Sequence, residues 1–211
     1  MNKLQCDAVI LDVDGTLWDS TPIVAKSWQA AAIGSGLSVT ITPKVLQKLF
    51  GKTMDVIAAE LLPGESEEVR RAFMAAATEA EQKALETDPC HIAYPGVVDT
   101  IEKLSKKLPL AIVSNCQSGY IELFMEKTGS AKYITDTECF GDTGFGKAEN
   151  IKLVMERNNF TAPVYVGDTE GDRAAAEEAG VRFIWASYGF GKPASFDDRI
   201  STFSELLKLT V

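Results

Sequence analysis

The sequence predicts an α/β fold, a Rossmann-like parallel sheet core with an inserted all-helical domain. Three observations predict it. Short unbroken apolar runs, Ala8-Val9-Ile10-Leu11, Leu110-Ala111-Ile112-Val113 and Val164-Tyr165-Val166, read as strands buried on both faces, which is the habit of parallel sheets. From residue 87 onward such runs alternate with helical periodicity, the mark of right-handed βαβ crossovers. Residues 20–86 carry helical periodicity alone and follow the first strand, so they form an insertion. The expected division is 1–19 with 87–211 as the α/β core, and 20–86 as the helical domain.

The elements follow in order. After the first strand, residues 21–36 place Ile23, Ser27, Trp28, Ala31 and Ala32 at helical spacing. Residues 43–50 open with Pro43, which suits a first helical turn. Residues 54–62 carry a stripe of Met54, Ile57, Ala58, Leu61 and Leu62, stopped by Pro63-Gly64. Residues 66–86 are rich in Ala and Glu, strong helix formers. Val97, Ile101, Leu104 and Leu108 mark a helix before the second strand, and Tyr120, Ile121, Phe124 and Met125 mark one after it. A weaker strand begins at Tyr133-Ile134, and Lys147 opens a helix with Ile151, Val154 and Met155 inward. The fourth strand ends in Gly167-Asp168, residues 172–179 form an Ala-lined helix, and 181–186 are a fifth strand. Thr202 and Glu205 have the spacing of a capping box for a last helix.

Composition excludes several classes. A formal charge of -9 argues against nucleic acid as a partner. No apolar run approaches the roughly 20 residues of a membrane span, and Met1 to Asp7 lacks a secretory h-region. Cys6, Cys90, Cys116 and Cys139 have no C-x-x-C spacing and read as reduced thiols of a cytoplasmic protein. Cys116 neighbours a strand-end residue, so a reactive thiol is the alternative to a buried one. The single histidine, His91, is expected in a loop and leaves little room for a histidine metal site or a Ser-His triad.

The strand ends carry the chemistry. The first delivers Asp12 and Asp14, the second Ser114 and Asn115, and the fourth Asp168 with Asp172 four residues on; Lys147 follows the third. A parallel sheet brings all of these to one edge. Crowded carboxylates repel one another, and an oxygen-seeking dication relieves them. The donor set suits Mg²⁺ better than zinc. A metal, a lysine and a hydroxyl converging on a carboxylate suit phosphoryl transfer, with the carboxylate as nucleophile. A second carboxylate can serve as general acid and base. Asp168 and Asp172 could instead be helix N-terminal caps, and Ser114 with Asn115 a strand-end cap. Trp18, next to the first motif, is open between packing and a role at the site.

Asp12-Val13-Asp14-Gly15-Thr16-Leu17 resembles the first motif of the haloacid dehalogenase-like hydrolases. Val113-Ser114-Asn115 resembles their second motif, Lys147 the third, and Gly167-Asp168-Thr169-Glu170-Gly171-Asp172 the fourth, in family order. The resemblance implies Asp12 as nucleophile and metal ligand. It implies Asp14 as general acid and base, with its backbone carbonyl on the metal. Ser114 and Lys147 would hold the phosphoryl group, with Asn115 beside it. Asp168 would be a Mg²⁺ ligand, and Asp172 a ligand or a partner behind one. Lys147 is followed by Ala148-Glu149 where relatives often have Pro.

Residues 20–86 resemble the C1-type helical cap of that family, which closes over the site. Lys52 and Thr53 in that segment, with Gln117 at the rim beside Ser118, Tyr188 and Phe190, are the substrate-binding candidates. Lys52 could equally be a helix-end cation. The implied activity is Mg²⁺-dependent hydrolysis of a small phosphorylated metabolite through an aspartyl-phosphate, in the manner of the phosphoglycolate phosphatase-like branch, by a monomer or homodimer. One alternative is a sugar phosphomutase of the β-phosphoglucomutase type, whose relatives tend to carry a histidine that Pro22-Ile23-Val24-Ala25-Lys26 lacks. Another is a regulatory module that binds Mg²⁺ and phosphate without turnover. A metal-free dehalogenase fits poorly, because its relatives lack the carboxylate of Asp14.

Overall fold

The computed structural model describes residues 5–89 and 92–209. Cys90 and His91 lie outside them. The chain runs β1 (Val9–Leu11), α1 (Thr21–Gly34), α2 (Pro43–Leu46), α3 (Met54–Leu61), α4 (Glu67–Thr87), α5 (Val97–Ser105), β2 (Leu110–Ser114) and α6 (Tyr120–Thr128). It continues through β3 (Asp136–Cys139), α7 (Phe140–Thr143), α8 (Lys147–Asn158), β4 (Val164–Gly167), α9 (Glu170–Ala179), β5 (Arg182–Ala186), β6 (Asp198–Ile200) and α10 (Leu206–Leu209). It divides into two compact units, Met1–Asp19 with Ala93–Val211, and Ser20–Ile92.

In the first unit six parallel strands lie in the order β3-β2-β1-β4-β5-β6. Every residue of β1, β2 and β4 is buried, as expected of strands covered on both faces. One face packs Ile10, Val113, Tyr165 and Phe183 against Ile151 and Val154 of α8 and Ala175 and Ala176 of α9. Each large side chain buried there contributes roughly 1.5–3 kcal/mol. From β1 the chain winds outward through β2 and β3, then returns to the other side of β1 as β4. The strand order therefore reverses beside β1, and the crevice at its carboxyl end is where such sheets bind ligands.

The second unit is all helical. α1 packs on α4, and α3 packs on α4. Trp28 is buried between Phe50 and Phe73, with ring centroids 6.4 Å away in each case. Its indole N–H donates to Glu81 at 2.7 Å, which gives that buried carboxylate a partner.

Several expected boundaries move. Ala131–Tyr133 is a 3₁₀ turn, so the third strand starts at Asp136, past the expected Tyr133. That edge strand is held by Arg157, whose guanidinium reaches Asp136 and Glu138, and this polar pairing left no apolar run to read. The helix expected from residue 172 starts at Glu170, because Thr169 caps it through the Asp172 N–H. Val181 precedes its strand instead of opening it. Thr202 forms no capping box: Glu205 accepts from Ser201 N–H at 2.7 Å, and Phe203–Glu205 is a 3₁₀ turn before α10. β6 is a three-residue strand that the sequence pattern does not predict. Among the described residues no helix is long and apolar enough to cross a membrane.

Candidate active site

The ends of β1, β2 and β4 bring Asp12, Ser114 and Asp168 together. Asp12 continues the ladder of β1, its N–H donating to Val166 carbonyl at 2.9 Å, so its carboxylate leaves a rigid strand end. Lys147, the first residue of α8, is buried, and its Nζ donates to Asp12 Oδ1 at 2.9 Å and Asp172 Oδ1 at 2.5 Å. The Tyr165 ring lies 5.7 Å beneath that ammonium. Ser114, buried at the end of β2, also lowers the proton affinity of the Asp12 carboxyl. Oxygens of Asp12, Asp168 and Asp172 lie within 4.8 Å of one another, and all three residues are buried.

Burial sets the proton affinities here. It pushes the Asp12 carboxyl up to about 6, against the opposing pull of Lys147 and with a further push from Asp172. Asp168 is raised well above the usual carboxylate range, first by burial, then by Asp172 and Asp12. Burial works against the Lys147 ammonium, yet Asp12 and Asp172 hold its proton affinity well above normal. Among the described residues, three carboxylates against one ammonium leave excess negative charge in a buried cluster, which a divalent cation answers.

The donor set fits such a cation. Asp168 Oδ2 accepts from Phe190 N–H at 2.6 Å, but its buried Oδ1 has no hydrogen-bond partner among the described residues. An orphaned carboxylate oxygen beside two more carboxylates is what an oxygen-ligated dication requires. Asp172 differs. Its Oδ1 takes Lys147, and its Oδ2 accepts from Asp168 N–H, Thr169 N–H and Thr169 hydroxyl at 3.1, 2.8 and 2.7 Å. Its carboxylate lies close enough to those of Asp12 and Asp168 to share a cation, but its hydrogen bonds commit it to anchoring Lys147 and capping α9. The cap reading and the site reading of Asp172 are therefore both realised in one side chain.

Glycines let these groups close up. Gly15 has φ +78°, and a Cβ there would stand 2.4 Å from Asp168 Oδ2. A Cβ on Gly189 would stand 2.3 Å from the Gly15 carbonyl. The loop bearing Tyr188 and Phe190 thus seals Asp168, and Tyr188 hydroxyl donates to Thr16 carbonyl at 2.7 Å. These two residues, expected at the rim, serve here as support.

Asp14 is half-buried, and its Oδ1 accepts from Trp18 Nε1 at 3.0 Å and Tyr120 hydroxyl at 2.8 Å. The sequence offers Tyr120 only as one mark of helical spacing. Its link to Asp14 crosses 106 residues, and no local pattern reports it. Asn115 and Gln117 follow the end of β2 and are half-buried. Cys116 between them is buried, and its thiol is pushed well up by burial and then by Cys139, which argues against a reactive thiolate. In the helical unit Thr53 caps α3 without a side-chain bond, and Lys52 pairs with Glu60 at 2.7 Å near the surface.

The sequence model of a family described as haloacid dehalogenase-like hydrolase matches residues 9–186. The chain is 27% identical to a phosphoglycolate phosphatase of Vibrio parahaemolyticus, over 99% of this chain and 98% of that one. It is 27% identical to a phosphoglycolate phosphatase of Pseudomonas fluorescens, over 95% of this chain and 77% of that one. The crystal structure of a predicted phosphoglycolate phosphatase from Haemophilus somnus superposes with a TM-score of 0.85 at 20% identity, covering 96% of this chain and 97% of that one, a likeness of fold.

Proposed function

The chain belongs to the haloacid dehalogenase-like hydrolases and is a phosphatase of that family, and from that premise we propose that it hydrolyses a small phosphate monoester with Mg²⁺, by way of a phosphoryl group on Asp12. One observation carries the reading: Lys147 bridges Asp12 and Asp172 inside a buried carboxylate cluster in which Asp168 Oδ1 has no hydrogen-bond partner among the described residues. A structural salt bridge would not leave that oxygen bare.

In this reading Asp12 and Asp168 hold the cation, with the Asp14 carbonyl beside them. The cation supplies charge neutralisation at the phosphoryl oxygens. An Asp12 oxygen attacks phosphorus. Lys147 and Ser114 donate to the phosphoryl oxygens, and Asn115 stands next to them. Asp14 gives a proton to the departing oxygen and later takes one from the water that attacks the phosphoryl-Asp12. Asp172 holds Lys147 in place. Uncatalysed monoester hydrolysis is so slow that these groups together must supply on the order of 20 kcal/mol. Such a sum needs preorganised charge in a dry site.

The curated relatives named above make phosphoglycolate the first substrate to test. We assign the helical residues 20–86 the role of a cap, with Lys52 and Thr53 as its contacts to the leaving half of the substrate, and Gln117 as a contact from the core. A cytoplasmic setting accords with the free thiols of Cys6, Cys116 and Cys139. The test is phosphate release from 2-phosphoglycolate and a panel of metabolite phosphates, with Mg²⁺ and with chelator. Release that requires Mg²⁺ and is abolished in Asp12→Asn supports the reading. Turnover that survives complete chelation overturns the metal assignment.

A further inference from the structure

We propose that Trp18 and Tyr120 are positioning residues whose ring N–H and O–H together orient the Asp14 carboxylate for proton exchange with the substrate oxygen. The proposal rests on the phosphatase reading, in which Asp14 is the acid and base.

The backbone brings Trp18 back over Asp14. After Asp14 the chain coils so tightly that the Val13 carbonyl accepts from Thr16, Leu17 and Trp18 N–H at 3.2, 2.7 and 3.2 Å. The Gly15 N–H donates to the Trp18 carbonyl at 2.9 Å. Trp18 then pairs with Ala93 in an antiparallel bridge, which fixes its backbone from the other side. Tyr120 arrives independently, at the first turn of α6. Both rings are only 1% exposed. The Trp18 ring meets Tyr120 edge-on at 5.3 Å and Phe124 at 5.2 Å, so neither donor has room to swing.

Both donors converge on one atom, Asp14 Oδ1. An aspartate has two side-chain torsions, and two fixed donors on one oxygen set both. In this proposal the proton is exchanged at Oδ2, the oxygen that neither ring donor engages. In the first step the Asp12–phosphorus bond forms, the bond from phosphorus to the leaving oxygen breaks, and that oxygen takes the proton from Asp14 Oδ2. In the second step water oxygen bonds to phosphorus, the Asp12–phosphorus bond breaks, and a water proton returns to Asp14 Oδ2. A buried tyrosine and tryptophan placed only for packing would need hydrogen-bond partners, but nothing would require both to choose the same carboxylate oxygen.

The test uses leaving groups. An alkoxide must be protonated as it departs, whereas p-nitrophenolate leaves without a proton. Trp18→Phe, Tyr120→Phe and the double variant are assayed with 2-phosphoglycolate, or the best alkyl phosphate found, and with p-nitrophenyl phosphate. We expect kcat/KM for the alkyl ester to fall about 10- to 100-fold in the double variant, within the range that general acid catalysis supplies. The aryl ester should change by less than about 3-fold, since its departure does not draw on the acid. Equal losses on both esters, or no loss on either, overturn the proposal. Tyr120→Phe deletes one buried O–H and decides the matter if the tryptophan variants do not fold. Wild type and Asp12→Asn run in parallel: if those two are equally active, the proposed route through Asp12 fails, and the proposal falls with it.

Discussion

Replacing Lys147 by Met removes a cation while keeping the length and apolar volume of the side chain. Its Nζ lies 2.9 Å from Asp12 Oδ1 and 2.5 Å from Asp172 Oδ1, with the side chain only 3% exposed. Without it, the oxygens of Asp12, Asp168 and Asp172 remain within 4.8 Å of one another without the ammonium that bridges Asp12 and Asp172. Two like charges at about 4 Å repel by about 4 kcal/mol at an effective dielectric near 20. Removing one partner of a buried ion pair typically costs about 3–5 kcal/mol. Both routes give a loss of the same size, a large part of the roughly 5–15 kcal/mol that holds a domain together. A carboxylate escapes part of this cost by taking up a proton, so the loss should shrink as pH falls from about 7 to about 5. Urea denaturation followed by circular dichroism, in chelator at both pH values, reads this out. Added Mg²⁺ should restore more stability to the variant than to wild type. A Lys147→Met protein within about 0.5 kcal/mol of wild type at pH 7 in chelator, an effect the size of an ordinary surface substitution, would refute the electrostatic reasoning.

Other outcomes follow from the same geometry. Because Asp12 in the folded protein is raised to about 6, the native state binds the extra proton, and stability of the metal-free protein falls as pH rises from about 4 to 6. Asp12→Asn does not titrate, so its stability relative to wild type should climb by roughly 3 kcal/mol across that window in paired urea titrations; a constant difference would count against the shift. Gly15→Ala places a methyl 2.4 Å from Asp168 Oδ2 at a φ of +78°, so thermal melts should show at least the roughly 1–2 kcal/mol of a left-handed residue, together with weaker Mg²⁺ binding. Lys52→Ala breaks only an exposed pair with Glu60 and should leave stability within about 1 kcal/mol. It should raise KM for an anionic substrate several-fold at nearly constant kcat, which steady-state kinetics checks.

The parts of this protein that were legible in its sequence are those with a one-residue signature. β1, β2 and β4 are apolar throughout and end in polar groups, so both the strands and their cargo of Asp12, Ser114 and Asp168 stood out. β3 was blurred because it is an edge strand stabilised by Arg157 with Asp136 and Glu138, and charged edges carry no apolar run. β6 is too short, at three residues, to have a period. Thr202 and Glu205 had the right spacing for a cap, but Ser201 N–H took the carboxylate instead. At the site, residue types could be read but commitments could not. Asp172 is spent on Lys147 and Thr169, and Asp14 is held by Trp18 and Tyr120; each depends on backbone geometry that side-chain spacing does not encode.

The account turns on Asp12 as a nucleophile. The most direct measurement is an acid quench of enzyme during turnover of its best phosphate ester with Mg²⁺, followed by peptide mapping by mass spectrometry. The account predicts a phosphoryl group on the peptide carrying Asp12, sensitive to hydroxylamine and absent from Asp12→Asn. With p-nitrophenyl phosphate, whose leaving group departs without a proton, it also predicts more of this adduct in Asp14→Asn, where water is no longer activated for the second step. Undiminished turnover by Asp12→Asn, or a phosphoryl group found on another residue, would contradict it.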